Sequence, residues 1–535
     1  METCSHVEEE IKIEKEEKIK IEKEEKIKIE KEEVPIQEKI FLFFVDDARG
    51  SISKEHLLKT ITKNGFLKDD PRLLIFRNKL KKLNTETLSL NEFTECIHGS
   101  LNIFVKIVQK DLIIPHFEVL MENICTIYDK TYSKNIGDVA DYIPQLRNVN
   151  PDQYGVSICT IDGQRYNLGD TDIRFSVQSC CKPINYGIAL EENNEEYVHT
   201  YVGREPSGQS FNEITLNKDG KPHNPLINAG AIMTTSLIKN NEPHSERFDY
   251  IINTWNRLGG GDGFITFNNS VYLSEKSTAD RNYALAYFMK ETNSSKKIGF
   301  PKDTKLDETL ELYFQCCSIE ATCNSLSIVA GTLANGGINP LTGEKIFNPD
   351  TVKNMLSMML MCGMYDYSGE FAFKIGIPAK SGVAGAIMLV IPNVMGIVIW
   401  SPKLDNIGNS YRGVEFCKEI GKQFNFHIFD NNNNNNNKLN PTRERYIVNT
   451  NTQICEACKH GDLEYIKLLY QRGEEFNIKD YDNRTPLHIA VCENRYSIVK
   501  YLITVIKVDV TVKDRWGNTA IDDAKGSEKL KALFQ

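Results

Sequence analysis

Ser179 and Lys182 are residues whose types and spacing could perform nucleophilic chemistry. A serine hydroxyl is a weak nucleophile until a neighbouring base removes its proton. Positions i and i+3 share one face of a helix, so the amine of Lys182 can reach the hydroxyl of Ser179. Pro183 fits only the first turn of a helix, where free backbone N–H groups favour a developing negative charge. Because a buried lysine loses proton affinity and can act as a base, the pair predicts acyl transfer through a serine.

A second motif, Lys380-Ser381-Gly382, lies far downstream. Serine acyl-transfer enzymes of the penicillin-binding class pair Ser-x-x-Lys with a later Lys-Ser/Thr-Gly on a strand. Each motif adjoins a predicted β-hairpin, because Asp162-Gly163 and Pro392-Asn393 each separate two β-rich runs. The sequence therefore predicts a hairpin, the Ser-x-x-Lys helix, a long middle section, a Lys-Ser-Gly strand and a second hairpin.

The composition is that of a globular protein with several domains. The chain has 535 residues, of which 41% are apolar and 26% charged, and this is too long for one compact core. Its net charge of −9 argues against a nucleic-acid surface. The apolar run over 384–400 is too short, and too interrupted at Pro392-Asn393, to span a membrane. The 14 cysteines show no disulfide framework and indicate reduced, intracellular thiols.

Residues 1–38 form a low-complexity tail. Lysine and glutamate repeat there with two isoleucines in every eight residues, which cannot bury a core. The pattern predicts a disordered segment or a single helix. Because the segment has neither a signal-peptide apolar block nor the composition of a mitochondrial transit peptide, a cytoplasmic location is expected.

Residues 39–135 are predicted to form a helical, EF-hand-like domain. Gly50 and Ile52 match the spacing of an EF-hand calcium loop. Counting from Gly50, loop positions one and twelve fall on Val45 and His56, although both should be acidic. The domain is therefore expected to bind no calcium.

The remaining chain predicts a catalytic domain, a linker and a repeat array. Residues 136–429 hold both chemical motifs. The glycine-rich stretch at 259–263 lacks the Lys-Ser/Thr that follows a phosphate-binding loop, so a surface loop is expected. Residues 430–445 form an asparagine-rich linker. Residues 446–535 are predicted to be ankyrin repeats, because 485–490 read Thr-Pro-Leu-His-Ile-Ala, the signature of that repeat.

Longer strings extend the two chemical motifs. They are Asp-Tyr-Ile-Pro-Gln-Leu at 141–146, Gln-Ser-Cys-x-Lys-Pro at 178–183, Tyr-Val-Gly-x-Glu-Pro-Ser-Gly at 201–208, Lys-Pro-His-Asn-Pro at 221–225, Asn-Ala-Gly-Ala-Ile at 228–232, Cys-Gly-Met-Tyr-Asp at 362–366 and Ala-Lys-Ser-Gly-Val-Ala-Gly at 379–385. With them the chain resembles the glutaminases over 39–535, and especially the animal kidney- and liver-type enzymes. The resemblance implies an α/β (α+β) catalytic domain like that of serine β-lactamases and penicillin-binding proteins. An all-α EF-hand-like domain would precede it and an α ankyrin-repeat domain would follow.

The resemblance also implies a role for each matching site residue. Ser179 would be the nucleophile, Lys182 its base and Tyr365 a proton relay. The backbone N–H groups of Ser179 and Val383 would form the oxyanion hole. The residues implied to bind the substrate are Tyr142, Ser179, Asn228, Glu275, Asn282, Tyr313, Tyr365 and Val383. Their chemistry suits a zwitterionic amino acid, which needs a carboxylate for its ammonium and amide or hydroxyl donors for its carboxylate.

The implied reaction is hydrolysis of the side-chain amide of L-glutamine to L-glutamate and ammonia through an acyl-serine. It implies no cofactor and no metal, with phosphate as a candidate activator. The implied partners are L-glutamine, further copies of the chain in a homo-tetramer, and a protein bound by the ankyrin repeats; neither nucleic acid nor membrane is expected. The related enzymes make a mitochondrial location the alternative to the cytoplasm.

Two other functions share the motifs. A β-lactamase or D,D-peptidase relative also pairs Ser-x-x-Lys with Lys-Ser-Gly, although Glu275 and Asn228 suit a free amino acid better. A scaffold with working ankyrin repeats and a dead hydrolase domain is the third function, and the intact motif residues argue against it. Without the resemblance, Tyr142 and Tyr313 would be taken for core tyrosines and Asn228 for a helix cap; the resemblance reverses this interpretation.

Overall fold

The structure is a computed structural model, and it describes residues 35–45, 50–208, 213–261, 263–291, 299–430, 438–442, 450–471, 474–524 and 527–534. The chain divides into two units, Met1–Thr62 with Lys68–Asp111, and Lys63–Leu67 with Leu112–Gln535. Most of the predicted tail, the segment 46–49 of the predicted EF-like loop and the asparagines at 431–437 lie outside the described residues.

The first unit is mainly helical and brings two loops side by side. Its helices are α1 (Ile36–Phe44), α2 (Lys54–Lys63, which ends in the second unit), α3 (Leu74–Lys82), α4 (Leu90–Ile97) and α5 (Leu101–Val108), with a 3-10 turn at Pro71–Leu73. The two short strands β1 (Ile52–Ser53) and β2 (Thr87–Leu88) pair antiparallel, with Ile52 opposite Leu88. The rings of Phe44, Phe93 and Phe104 contact one another in the core. Ile52 of the predicted EF-like loop thus pairs with a second loop, which the sequence pattern did not reveal.

The second unit is built on a five-stranded antiparallel sheet. In spatial order its strands are β4 (Arg165–Gly169), β3 (Gly155–Thr160), β10 (Met395–Trp400), β9 (Ala386–Ile391) and β8 (Ala379–Gly382). The pairs β3–β4 and β9–β10 are the two predicted hairpins, and Gly163 and Asn393 take positive φ in their turns. A smaller sheet has the order β5 (Phe175–Ser176), β7 (Ile319–Ala321), β6 (Thr266–Phe267).

Helices cover both faces of the five-stranded sheet. The helices of this region are α6 (Phe117–Tyr132), α7 (Pro144–Arg147), α8 (Cys181–Asn193), α9 (Glu195–Tyr201), α10 (Asn228–Leu237), α11 (His244–Leu258), α12 (Asn269–Ser277), α13 (Asp280–Glu291), α14 (Leu306–Cys317), α15 (Cys323–Ala334), α16 (Pro349–Cys362), α17 (Ser368–Lys374) and α18 (Tyr411–Gln423). Met388 and Val398 belong to the apolar cluster that includes α15, whereas Leu389 and Ile397 belong to the cluster that includes α6 and α18. Successive strand residues point to opposite faces, so both faces are buried at the centre of the sheet, and β9 and β10 read as continuous apolar runs.

The ankyrin region forms short helices around its own apolar cluster. The elements are α19 (Thr450–His460), α20 (Leu463–Gln471), α21 (Pro486–Cys492), α22 (Tyr496–Tyr501), a π-helical turn at Leu502–Ile506, α23 (Glu528–Lys531) and a 3-10 turn at Ala532–Phe534. The signature residues Thr485 and His488 form a capping box at the start of α21. His488 is buried there and serves the helix start, in keeping with a structural histidine.

Membrane and metal sites were not expected from the sequence. Among the helices that the structure describes, none is both long and apolar enough to cross a bilayer. Over the same residues, no three or more His, Cys, Asp or Glu side chains are grouped as a metal site would require.

The close approach of α15 to β10 generates a stability prediction. A Cβ added at Gly396 would lie 2.4 Å from the backbone carbon of Ala330, so Gly396→Ala must push the helix off the sheet. We expect a loss of about 1–3 kcal/mol, measured as a fall in the thermal unfolding midpoint of the full chain. Gly369→Ala in α17 is the matched control, because its new Cβ meets no atom within 4 Å. An equal midpoint for both variants would contradict the described packing.

Candidate active site

The candidate nucleophile lies at a strained helix start. The 3-10 turn Gln178–Cys180 leads directly into α8, and Pro183 occupies the first turn of that helix, as the sequence predicts. Ser179 is half-buried in this turn. The preceding residue, Gln178, has φ of 48°, a left-handed conformation that costs a non-glycine residue about 1–3 kcal/mol. The strain is located next to Ser179, where a precise side-chain direction would matter for chemistry.

Lys182 carries a buried amine on the same helix. Only 1% of the residue is exposed, and its Nζ donates a hydrogen bond to Oδ1 of Asn228 at 2.6 Å. Burial lowers the pKa of Lys182, because the low-dielectric interior disfavours the charged form. A neutral amine that donates to Asn228 keeps its lone pair for another group. The site therefore weakens the affinity of Lys182 for its proton and fixes the direction of the amine through α10, which begins at Asn228.

Tyr365 is the second strained residue beside the nucleophile. It begins the 3-10 turn Tyr365–Tyr367 with φ of 53°. Its phenol hydroxyl interacts with the side chain of Ser179, and burial raises the pKa of Tyr365, so the hydroxyl keeps its proton. The structure thus brings together Ser179 and Tyr365, which are far apart in sequence.

The Lys-Ser-Gly motif lies on β8, directly beside the nucleophile turn. The thiol of Cys180 donates to the carbonyl oxygen of Lys380 at 3.4 Å. A Cβ added at Gly382 would lie 2.9 Å from the carbonyl oxygen of Val177, so a larger residue would crowd this approach. Val383 follows in the turn after β8. The backbone of the motif and the turn that holds Ser179 are consequently neighbours.

Two further predicted residues, Asn282 and Tyr313, contact Asn228. Its Nδ2 donates to Oδ1 of Asn282 at 3.2 Å, and the hydroxyl of Tyr313 donates to its Oδ1 at 3.4 Å. These contacts join the starts of α10 and α13 to α14. Burial is the largest cause that raises the pKa of Tyr313, so its hydroxyl is a neutral donor. Asn228 therefore connects the Lys182 amine with a cluster of neutral polar groups.

Glu275 provides a buried carboxylate near the other end of the site. Its Oε1 accepts hydrogen bonds from the hydroxyl of Tyr142 at 2.7 Å and from Nε2 of Gln178 at 2.9 Å. Burial raises the pKa of Glu275, and the two hydrogen bonds act in the opposite direction. No ion pair joins Glu275 to a lysine or arginine among the described residues. Tyr142 exposes 43% of its surface, yet its hydroxyl points inward to this carboxylate.

Two residues that contact the site, Gln178 and Lys380, were not among the site residues predicted from the sequence. Gln178 holds Glu275 and also contacts the hydroxyl of Tyr142, through its Oε1 at 3.4 Å. The sequence indicated this residue only through its position next to Ser179, in a string that resembles the glutaminases. Lys380 was assigned only to a motif, although its amine lies over the ring of Tyr365.

The arrangement suits attack on a carbonyl group by a serine. It offers a hydroxyl, a buried amine whose pKa is lowered by burial, a protonated phenol and the backbone N–H groups of a helix start. The buried carboxylate of Glu275 would bind a cationic group of the same substrate. These groups match an amide or ester that carries an ammonium at some distance from its reactive carbonyl.

Comparison with protein families gives three matches along the chain. The Glutaminase family model matches 137–429, a model described as EF-hand domain matches 36–115, and a model described as Ankyrin repeats (3 copies) matches 417–514. The first match contains the five-stranded sheet and every predicted site residue. The three matches confirm the predicted combination of an EF-hand-like domain, a catalytic domain and ankyrin repeats.

Individual proteins give the same result. Putative glutaminase 2 of Caenorhabditis elegans is 44% identical over 509 residues, covering 91% of this chain and 83% of its own. The mitochondrial liver isoform of glutaminase from Rattus norvegicus is 43% identical over 486 residues, covering 89% and 80%. Among solved structures, Probable glutaminase ybaS is 37% identical with a TM-score of 0.55, covering 58% of this chain and 98% of its own. Mglu in its glutamate form is 33% identical with a TM-score of 0.53, covering 57% and 69%.

The structural matches confirm the predicted fold class of the catalytic domain. Because the family model covers more than half of the sequence and the relatives match nearly its whole length, the chain belongs to the glutaminase family.

Proposed function

We propose that this glutaminase hydrolyses the side-chain amide of L-glutamine to L-glutamate and ammonia through an acyl intermediate on Ser179. The observation that carries the proposal is the position of Ser179 in the turn that leads into the helix of the buried Lys182, with the buried phenol of Tyr365 beside its side chain. The buried carboxylate of Glu275 is held by the adjacent Gln178. The solved glutamate form of Mglu supports it, because glutamate is the expected product. The proposed steps need only side chains and backbone groups of this chain and water.

The first step is attack by the hydroxyl of Ser179 on the amide carbonyl. Neutral Lys182 takes the hydroxyl proton as the new C–O bond forms. The hydrogen bond from Lys182 to Asn228 holds the amine in one direction during this transfer. Burial of Lys182 supports the step, because it makes the neutral form available at a lower pH than in water.

The tetrahedral intermediate carries a negative oxygen that needs donors. We assign these to the backbone N–H groups of Ser179 and Val383, because β8 lies beside the turn that holds Ser179. The proton that Lys182 took from Ser179 then passes by way of the phenol of Tyr365 to the departing nitrogen, which leaves as ammonia, so that Tyr365 keeps a proton and Lys182 is neutral again. Lys182 next accepts a proton from the water that attacks the acyl-serine, and this proton returns to the oxygen of Ser179 as L-glutamate leaves.

Substrate recognition is assigned to two groups of polar side chains, one around Glu275 and one around Asn228. Glu275 would bind the substrate ammonium, and the ion pair would offset the cost of burying its charge. The amides and hydroxyls assigned to the substrate carboxylate and side chain belong to Tyr142, Asn228, Asn282 and Tyr313. The hydrogen bonds now made among these groups keep them satisfied before the substrate arrives.

The β-lactamase and D,D-peptidase alternatives lose their support with the family assignment. The intact Ser179, Lys182 and Tyr365 argue against a dead scaffold. A homo-tetramer, a protein partner for the ankyrin repeats and activation by phosphate stay predictions. Tyr481 and Trp516, exposed by 92% and 62%, are consistent with a partner surface in the ankyrin region. A cytoplasmic location also stays a prediction, since the rat relative is named mitochondrial.

The pairing of Ser179 with Lys182 predicts strongly non-additive losses. Ser179→Ala and Lys182→Ala should each reduce kcat nearly as much as the double variant, because neither group is useful without the other. The measurement is kcat for the two single variants and the double variant with glutamine. The assigned nucleophile would be contradicted if the fold-loss in kcat of the double variant equalled the product of the two single losses. Substantial turnover by Ser179→Ala would contradict it as well.

The base role of Lys182 predicts that activity rises with pH. The amine must be neutral to accept a proton, and burial lowers its pKa, so the rise should occur below the range of an exposed lysine. The measurement is kcat at saturating glutamine between about pH 5 and about pH 10, because kcat reports the enzyme with its substrate bound and is not lowered when free glutamine loses its ammonium proton. Glu275→Gln is the control, because ionisation of Glu275 would also increase activity with pH and this variant removes that contribution. A flat or falling profile in the control would contradict Lys182 as base.

The assignment of Glu275 predicts a loss of substrate capture. Glu275→Gln should lower kcat/KM by about 1–3 kcal/mol, or roughly 5- to 150-fold, mainly through KM. Glu344→Gln is the matched control, because that carboxylate is half-exposed at the surface, where it pairs with Arg257. A KM unchanged by Glu275→Gln would show that the ammonium binds elsewhere.

A further inference from the structure

Two buried thiols lie side by side next to the nucleophile, and the steps above do not use them. Cys181 is the first residue of α8, two positions after Ser179, and Cys317 is the last residue of α14. Both belong to one apolar cluster, with 0% and 6% of their surfaces exposed. A hydrogen bond joins the two thiols, and neither is in a disulfide. The fold thus brings two free thiols from distant parts of the chain into contact.

The thiol of Cys317 also adjoins the polar groups of the site. It forms a hydrogen bond with the hydroxyl of Tyr313. Lys182 and Glu275 lie close enough for their charges to act on it. Because Cys317 keeps a small exposed surface and Cys181 has none, a small solute that enters the site meets Cys317 first.

A covalent bond between these thiols would disturb the site. A disulfide holds its sulfur atoms about 2 Å apart, which is closer than a hydrogen bond between two thiols. The bond would therefore draw the end of α14 toward the start of α8 and take the thiol of Cys317 from Tyr313. Cys181 lies in the chain between Ser179 and Lys182, so a shift of its side chain would also move the catalytic pair.

We propose that Cys181 and Cys317 form an oxidant-sensitive modification site, at which a peroxide joins the two thiols in a disulfide and stops turnover reversibly. The inference rests on the proposed function, because the loss of turnover follows from displacement of the groups assigned to that mechanism. The disulfide itself needs only the two thiols and the peroxide.

The oxidation is a two-electron reaction in two parts. The sulfur of Cys317 attacks one oxygen of hydrogen peroxide and the O–O bond breaks. The leaving hydroxide takes the thiol proton as water, and a sulfenic acid remains on Cys317. The sulfur of Cys181 then attacks the sulfur of the sulfenic acid, the S–O bond breaks, and the hydroxyl leaves with the Cys181 proton as a second water. A dithiol such as dithiothreitol reverses the change by thiol–disulfide exchange.

Treatment of the full chain with excess hydrogen peroxide, with and without later dithiothreitol, tests the proposal. The hydrogen bond to Cys181 and burial raise the pKa of Cys317, so its thiolate is scarce and the exposure must last from minutes to hours. Wild type should lose about tenfold or more in kcat, and dithiothreitol should restore it. Digestion without reductant should yield, from the inactivated sample only, a linked pair of peptides whose fragment masses place the bond between Cys181 and Cys317.

Three alanine variants assign the effect to this pair. In Cys181→Ala and Cys317→Ala the loss that dithiothreitol restores should fall below about twofold, and the linked pair should be absent. A sulfenic acid without a partner thiol proceeds to a sulfinic acid, which dithiothreitol does not reduce. Cys316→Ala is the matched control, because that thiol is buried on the same helix but bonds to Asn185. This variant should behave as wild type.

Four results would each overturn the proposal. They are full retention of turnover in peroxide, inactivation without the linked pair, a linked pair that forms without loss of turnover, and a restorable loss in Cys181→Ala as large as in wild type. Where an alanine variant does not fold, the serine variant at that position replaces it, and the linked pair in wild type is decisive without any variant. That pair is measured without substrate, whereas substantial turnover by Ser179→Ala would contradict the proposed function, so the two failures are distinguishable.

Discussion

The groups of the site are arranged around the buried amine of Lys182. A charged ammonium in this position would lose its hydration. Asn228 is its hydrogen-bond partner, but a neutral amide does not replace the lost water. The amine is thereby pushed toward its neutral form. Placing it so deeply requires helix α8 to enter the core at its first turn, with helices packed around it. The same burial brings the second amine, Lys380, close enough for the two charges to repel each other.

Different residues of the site are assigned to the chemical steps and to substrate binding. Ser179, Lys182 and Tyr365 are the groups assigned to bond making and proton transfer. Glu275 and the Asn228 cluster consist of a carboxylate and neutral donors, which suit the two charges of an amino acid. Gln178 connects the two halves, because its backbone precedes Ser179 and its side chain holds Glu275. The backbone of Gln178 is left-handed, which is a strained conformation for this residue type, and this conformation accompanies its double role.

Local patterns in the sequence were enough for the elements that carry the site. The spacing of Ser179 and Lys182, followed by Pro183, predicted a helix start, and Asp162-Gly163 and Pro392-Asn393 predicted both hairpins. Each of these signals concerns residues close together in the chain, where backbone sterics decide the outcome. The site residues that are far from Ser179 in sequence were identified from the resemblance to glutaminases. No periodic pattern in the sequence indicated them.

The contacts between distant segments could not be predicted in the same way. Nothing in the local sequence shows that the Lys182 amine bonds to Asn228, or that Lys380 points toward Gly363. The positive φ of Gln178 and Tyr365 is equally invisible, because these residue types rarely adopt it. Such features depend on the packing of whole helices and strands, which overrides local preference.

In the proposed mechanism, glutamine is hydrolysed through one acyl intermediate on Ser179. The most direct test supplies hydroxylamine to the full chain and compares glutamine with the γ-methyl ester of glutamate. Both substrates should give the same ratio of γ-glutamyl hydroxamate to glutamate, because the acyl-serine no longer carries the leaving group. A ratio that differs between the two substrates would contradict a common acyl-enzyme and favour direct attack by water.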